Sequence, residues 1–220
     1  MIDKIKKILF MNDDLCYICM KNKSVDNSNI CDFCKSKMKY IDGKRYISND
    51  IICSFPLHYS GVVKDIIYGY KFLNKTYLYK IFGNIMVEFL ENKEISDIDY
   101  LVYIPSSKKT VKKRGFEHLK YICQYISEKL NIELLEDVLI KTKNTKLQHD
   151  LDIEERYTNL KNAFEIKDKD KIKGKKILLF DDIITTGNTF NTAIELLLEN
   201  NVEKIKCISI ASLKKEKYLG

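Results

Sequence analysis

Residues 175–190 read KKILLFDDIITTGNTF. The run Ile177–Phe180 (ILLF) is continuously apolar, as expected of a strand buried on both faces of a parallel sheet. It delivers Asp181 and Asp182 to the carboxyl edge of that sheet. The turn Thr185-Thr186-Gly187-Asn188-Thr189 then leads into a helix from Phe190 to Glu199. Gly187 lets the backbone turn tightly and approach a ligand. Free N–H groups at a helix start, joined by threonine hydroxyls, make an anion site. The two acids upstream cannot hold phosphate; they suit sugar hydroxyls or a metal. A phosphate cradle within reach of a carboxylate pair describes a ribose 5-phosphate site. Two other readings stay open at this point: a solvated acidic strand end with Thr189 as an ordinary helix cap, and a receiver-type or phosphatase-type acid pair. The motif is not a Walker loop, because G-x-x-x-x-G-K-[ST] does not occur.

The same grammar extends outward. Tyr100–Ile104 (YLVYI) reads as a second buried strand, ending at Pro105-Ser106-Ser107. Residues 117–130 carry Leu119, Ile122, Cys123, Ile126 and Leu130 at helical spacing. Leu134–Ile140, 163–166 and Ile205–Ala211 read as further strands. Strands alternating with helices predict an α/β fold with a mostly parallel sheet flanked by helices. In such sheets ligands bind beyond the carboxyl ends of the strands. Upstream, Ile51–Tyr59 reads as a strand, 62–73 and 76–91 as helices, 35–50 as a Lys- and Asp-rich connector, and 2–10 as a short amphipathic stretch. Ile153–Asn159 reads as a short helix within a polar segment.

Seven cysteines occur in a chain with 45% hydrophobic and 31% charged residues and a formal net charge of +7. Four of them form two C-x-x-C pairs, Cys16/Cys19 and Cys31/Cys34, eleven residues apart. Such knuckles can set four thiolates tetrahedrally around a structural Zn²⁺. The alternatives are unpaired thiols or a redox dithiol. Cys53, Cys123 and Cys207 lie in apolar periodic segments and read as small buried hydrophobes. The expected organisation is a zinc-binding module at 1–45 and an α/β domain at 46–220. No apolar run approaches the ~18 residues of a membrane span, and the start lacks the pattern of a signal peptide, so a cytoplasmic protein without membrane insertion is expected. The lysine excess is compatible with an anionic ligand or with DNA. Arginine is scarce, with Arg45, Arg114 and Arg156 only.

ILLFDDIITTGNT resembles the 5-phosphoribosyl 1-diphosphate (PRPP) loop of type I phosphoribosyltransferases: four apolar residues, two acids and a T-T-G-x-T turn. Ile104-Pro105 and the basic run to Arg114-Gly115-Phe116 are similar to the P-x-P…R-G-F-N-Q block of the ComF competence family. Here Ser106-Ser107 follows the first proline, and Glu117-His118 stands in place of N-Q. Gln148…Leu151…Arg156…Asn159…Ala163-Phe164 is similar to that family's Q…L…R…N…A-F block, and the paired C-x-x-C knuckles fit as well. The resemblance covers nearly the whole chain in the family's order.

It implies a type I phosphoribosyltransferase fold and a pentosyl transfer from PRPP to a base or amine. Thr185, Thr186, Gly187, Asn188 and Thr189 would hold the 5-phosphate, and Asp181 and Asp182 the ribose hydroxyls at the reacting centre. Ser106, Ser107, Lys108 and Arg114 would face the pyrophosphate. Residues 141–156 would form a lid offering Lys143, Gln148 and Arg156, and Mg²⁺ would accompany PRPP. It further implies a link to DNA uptake and a helicase-like partner. The alternative is a non-catalytic PRPP or nucleotide sensor, or a binder of single-stranded DNA. Lys108 and Lys143 read equally as solvated lysines, Arg114 and Arg156 as structural ion-pair partners, and His118 as a general base or as plain surface or core. Phe55, Tyr59 and Tyr68 read as stacking groups or as core.

Overall fold

The computed structural model describes residues 14–26, 28–48, 51–142 and 163–213. The stretch 2–10, the helix expected at 153–159, and the lid residues Lys143, Gln148 and Arg156 lie outside the described residues. A short helix α1 (Asp32–Ser36) precedes strands β1 (Tyr40–Ser48) and β2 (Ile51–His58) and helix α2 (Gly61–Phe72). A 3-10 turn at Thr76–Leu78 leads into α3 (Tyr79–Glu91), followed by β3 (Tyr100–Tyr103), α4 (Lys108–Arg114), α5 (His118–Leu130) and β4 (Glu133–Leu134). Then come β5 (Leu139–Lys141), β6 (Phe164–Ile166), α6 (Lys169–Ile172), β7 (Lys176–Ile184), α7 (Asn188–Glu199) and β8 (Lys204–Ser212).

Six strands form one sheet in the order β1-β2-β8-β7-β3-β4. All neighbours are parallel except the edge pair β1–β2. β5 and β6 form a separate antiparallel pair. Because side chains alternate along a strand, β7 feeds two cores. Leu178 and Phe180 join one apolar cluster with Ile67 and Tyr70 of α2, Phe82 and Met86 of α3, and Leu119 and Ile122 of α5. Ile177 and Leu179 join the other, with Phe190, Ala193, Ile194 and Leu197 of α7. Helices therefore cover both faces, which is why ILLF and YLVY contain no polar positions.

Two expectations change. The connector expected at 35–50 holds β1. Its Ile41, Gly43, Arg45 and Ile47 are half-buried while Tyr40, Asp42, Lys44 and Tyr46 are exposed, a period-2 pattern hidden by polar composition. β1 runs through residues 45 and 46. The strand expected at Leu134–Ile140 is two pieces: β4 pairs with β3 in the main sheet, and β5 pairs with β6. Cys53, Cys123 and Cys207 are buried, as expected. Phe55 is core in the cluster of Ile177 and Leu179, Tyr59 packs partly buried against the cluster of Leu178 and Phe180, and Tyr68 is exposed. Among the described residues no helix is long and apolar enough to cross a membrane.

Candidate functional site

β3 and β7 are parallel neighbours in register from Tyr100↔Ile177 to Tyr103↔Phe180. Beyond that point they part. β3 continues through α4 and α5 to β4 on one side, and β7 continues through α7 to β8 on the other. Right-handed crossovers in opposite directions place the two connections on opposite faces and open a crevice between the strand ends. β7 projects four residues past the end of β3, and Asp181 and Asp182 are the first of them.

Alternation separates the two acids. Asp182 follows Leu178 and Phe180 toward α2 and α5 and is buried. Its Oδ2 accepts from His118 Nε2 at 2.6 Å and pairs with Lys71 Nζ. Among the described residues its Oδ1 has no hydrogen-bond partner. Burial alone would raise this carboxyl, but the His118 hydrogen bond and the Lys71 charge outweigh it and hold Asp182 well below the usual carboxylate range. Asp181 is half-buried, and its Oδ1 accepts the Asp182 backbone N–H at 2.8 Å. Burial, and then the neighbouring Asp182 carboxylate, push its carboxyl up to about 7. The two acids therefore titrate as a coupled pair, with the charge favoured on Asp182 and the greater affinity for a proton on Asp181.

The turn after β7 is held from outside. Gly187 has φ 89°, the left-handed region that favours glycine, and it caps α7. A Cβ there would meet Ile47 Cδ1 of β1 at 3.4 Å. Arg45, two residues earlier on β1, donates from Nη1 to the Thr185 carbonyl and from Nη2 to the Thr186 carbonyl at 3.3 Å. Asn188 N–H donates to Thr186 Oγ1 at 3.4 Å. With its carbonyls drawn to Arg45, the turn is held in one conformation at the start of α7, where the helix leaves amides for an anion. On the phosphate reading of this turn, Arg45→Ala is expected to weaken ribose 5-phosphate binding about three- to tenfold, the net scale of one ordinary hydrogen bond, with the thermal midpoint nearly unchanged. Calorimetric titration beside a melting curve checks this.

The opposite wall comes from the chain after β3. Ser106 donates its backbone N–H to Glu117 Oε2 at 2.8 Å and its hydroxyl to Oε1 at 3.0 Å. Ser107 is buried and caps α4, accepting from Thr110 N–H at 3.2 Å. Arg114 Nη1 lies 2.6 Å from His118 Nδ1, and its guanidinium sits over the Phe72 ring. A cleft of about 510 Å³ joins the walls. Of the residues expected from sequence, Ser106, Ser107, Arg114, Asp181, Asp182, Thr185 and Thr189 line it. Thr186, Gly187 and Asn188 belong to the same turn without lining the cleft, and Lys108 is exposed on α4.

Sequence reasoning did not mark Lys71, placed residue 141 only at the start of the expected lid, and left His118 open between a general base and plain surface or core; all three line the cleft. For His118 two signals were available. The helical spacing of 117–130 puts it on the same face as Ile122 and Ile126, and strand alternation aims Asp182 at that face. For Lys71 nothing local marks it among the many lysines.

The four knuckle cysteines come together at the N-terminal end. Their Sγ atoms all lie within 4.8 Å of one another, and Cys19 Sγ is 3.8 Å from Cys31 Sγ. A tetrahedron with Zn–S bonds of about 2.3 Å has edges of about 3.8 Å, so the donor set fits zinc. The first knuckle is closed by Met20 N–H donating to the Cys16 carbonyl at 2.9 Å, and the second opens α1, with Lys35 N–H donating to the Cys31 carbonyl at 2.9 Å. Asn22 Nδ2 donates to Cys31 Sγ at 3.6 Å, supporting that ligand from outside the cluster. Tyr17, between two of the cysteines, packs edge-on against Tyr77, with ring centroids 5.5 Å apart, and so docks the cluster on the helical face.

Residues 110–219, half of the chain, match the phosphoribosyl transferase domain. The chain belongs to the phosphoribosyl transferase domain family. Within that family it is similar to competence protein F of Haemophilus influenzae, at 26% identity over 159 residues, covering 70% of this chain and 69% of that one. It is 32% identical over 153 residues to competence protein ComFC of Streptococcus pneumoniae, covering 69% of this chain and 64% of that one. It is 31% identical over 108 residues to the DNA utilization protein YhgH of Escherichia coli, covering 49% of this chain and 47% of that one. The cleft of this phosphoribosyl transferase domain is thus built by the β7 turn and acids, which lie inside the matched residues, and by the Ser106 wall just before them.

Proposed function

We propose that the cleft binds PRPP and that the chain transfers its phosphoribosyl group to a nitrogen nucleophile with loss of pyrophosphate. The observation that carries this reading is a single cleft with an anion-binding turn on one side, a cationic and hydroxyl-rich wall on the other, and two carboxylates between them. The Thr185–Thr189 turn receives the 5-phosphate. Asp181 and the unpartnered Oδ1 of Asp182 accept from the ribose hydroxyls. Arg114, Lys71 and Lys141 draw the diphosphate to the Ser106–Ser107 wall, so the anomeric carbon lies over the acids. As the diphosphate departs, positive charge develops on the sugar, and the fixed Asp182 anion stabilises it without reorganisation.

The acids give the cleft the negative field that a divalent cation needs, and Mg²⁺ would be held mainly by PRPP oxygens and water. When bound, it would neutralise charge on the departing diphosphate. The metal of the cysteine cluster is read as structural zinc, since a closed four-thiolate set leaves no open position. Relatives named for competence and DNA utilization support a place in DNA uptake; single-stranded DNA and a helicase-like protein as partners, and a cytoplasmic setting, are further parts of the proposal. A second reading, a PRPP sensor without turnover, draws on Asp182, whose Oδ2 is already engaged by Lys71 and His118.

The test is calorimetry with Mg·PRPP followed by pyrophosphate release in a screen of bases and amines. Saturable binding with acceptor-dependent release is the expected result, and both are lost in the Asp181→Asn/Asp182→Asn double variant. Binding without release under any acceptor leaves the sensor reading, and no binding at all removes both.

A further inference from the structure

Glu117 and His118 occupy the positions where the sequence departs from the ComF pattern, and neither has a role in the reading above. The structure places His118 in the lining of the cleft and Glu117 next to it, bonded to Ser106 of the wall. Gly115, at φ 89°, ends α4 in the left-handed region, and the chain re-enters a helix three residues later at His118. That reversal folds Glu117 back under Ser106 and turns His118 inward, where it is 5% exposed. Tyr70 of α2 fixes its backbone by donating a hydroxyl hydrogen bond to the His118 carbonyl.

The contacts form a chain across the cleft. The Glu117 carboxylate takes both polar groups of Ser106, the backbone N–H at 2.8 Å and the hydroxyl at 3.0 Å. Glu117 Oε1 lies 3.0 Å from His118 Nδ1, beside Ser106 Oγ at 3.3 Å and Arg114 Nη1 at 2.6 Å from the same nitrogen. On its far side the imidazole meets Asp182 Oδ2 at 2.6 Å through Nε2. Nε2 faces a carboxylate, so it carries the hydrogen. Lys71 of α2 closes the chain on the same Asp182 oxygen.

We propose that His118 is a positioning residue that acts through Asp182, and that with Glu117 it ties the Ser106 wall to the acid pair so that the two halves of the cleft are set together. A free carboxylate at the tip of a strand rotates about two bonds. Here Oδ2 is taken by two donors, one of them on a rigid ring, so Oδ1 keeps a single orientation toward the cleft. The Ser106 loop carries no regular structure between β3 and α4. Its side-chain anchors at the start of α5 are the Glu117 carboxylate and, at 3.3 Å from Ser106 Oγ, the His118 imidazole, which also contacts Glu117. Displacing the imidazole would release both walls. The groups facing it are Asp182 and Asp181 from β7, Lys71 and Tyr70 from α2, Arg114 from α4 and its own neighbour Glu117. Burial opposes its charge, but Asp182 and Glu117 outweigh this and raise its affinity for a proton.

The functional half of this proposal rests on the phosphoribosyl reading; the structural half does not, and two measurements separate them. In the ligand-free full chain, ¹⁵N-imidazole NMR should show a far-downfield Nε2–H proton that is absent in His118→Gln and moves upfield in Asp182→Asn. Calorimetry with ribose 5-phosphate and, separately, with inorganic pyrophosphate should show His118→Ala weakening both by about tenfold. His118→Gln, whose amide can still donate to Asp182, should regain most of both affinities. A double-mutant cycle between Ser106→Ala and Asp182→Asn should be non-additive with His118 present and additive in the His118→Ala background. An imidazole with no downfield proton, a His118→Ala variant that loses only one of the two affinities, or a His118→Gln variant no better than His118→Ala at matched thermal stability would each overturn it. If neither ligand binds the wild type, the phosphoribosyl reading and the positioning role fail together, while the NMR result still decides the His118–Asp182 link.

Discussion

Cys16→Ser, or removal of the metal with a strong chelator, is expected to unfold residues 14–39 while the six-stranded sheet stays folded. The segment has little else to hold it. Among its described residues the only helix is the five-residue α1, and the hairpin consists of the single bridge Leu15↔Lys23. Its buried side chains are few, and three of them, Cys16, Cys31 and Cys34, are members of the cluster itself. Without a cation, thiols this close must either stay protonated and leave polar contacts unmade or ionise and repel. In small zinc modules metal binding contributes on the order of 10–16 kcal/mol, which amounts to the whole folding free energy. The sheet is spared because the cluster docks on helical residues, through Tyr17 against Tyr77 and Asn29 against Asn84, and not on the β7–β8 centre. Limited proteolysis should cut the apo protein between residues 14 and 39, with β7 and β8 still protected from hydrogen exchange. One equivalent of zinc should appear in the untreated protein. A metal-free protein with this segment protected would remove the zinc assignment.

Asp182→Leu should lower stability by about 3–5 kcal/mol, the usual cost of removing one partner from a buried ion pair and leaving the other charge uncompensated. The stranded groups are Lys71, 18% exposed at its side chain, and His118, 7% exposed. Adding Lys71→Met should return much of the loss, because an apolar pair can replace a buried ion pair at little cost. Chemical denaturation reads this as a midpoint that falls in the single variant and recovers in the double. Asp182→Asn keeps the shape, and there the effect should move to chemistry. On the proposed transfer reaction, pyrophosphate release should fall by about 10²-fold or more, since the anion proposed to meet the developing sugar charge is gone. The sign with pH follows from the depressed carboxyl. Its stabilisation is complete above the ordinary aspartate range near pH 4 and is lost as the pH falls through the folded value. Asp182→Asn should therefore flatten the acid limb of the stability curve. An unchanged acid limb would show that Asp182 is not held as an anion.

Much of this site can be read along the chain because its signals are local. The turn residues Thr185–Thr189 follow their strand directly and lead straight into α7, so their place at the strand end is set by backbone within a few positions. The cysteine cluster is similar: two short knuckles each place two sulfurs, and an eleven-residue loop suffices to bring the pairs together. β1 was missed for the opposite reason. Its period-2 signal rests on Ile41, Gly43, Arg45 and Ile47, and glycine and arginine do not advertise a buried face.

The apolar runs ILLF and YLVY, the alternation of strands with helices, and the acid pair ahead of the threonine turn were determined by residue order alone, since burial on two faces demands unbroken apolar stretches wherever the strand lies. What bonds to the acids was decided only by tertiary structure. His118 reaches Asp182 across 64 residues, and Arg45 reaches the Thr185 carbonyl across 140. Such pairs depend on strand order, register and the face each crossover takes, none of which is encoded in the spacing of either partner. A histidine at the start of a helix and an arginine on an edge strand become site residues only when the sheet brings their elements to the same end.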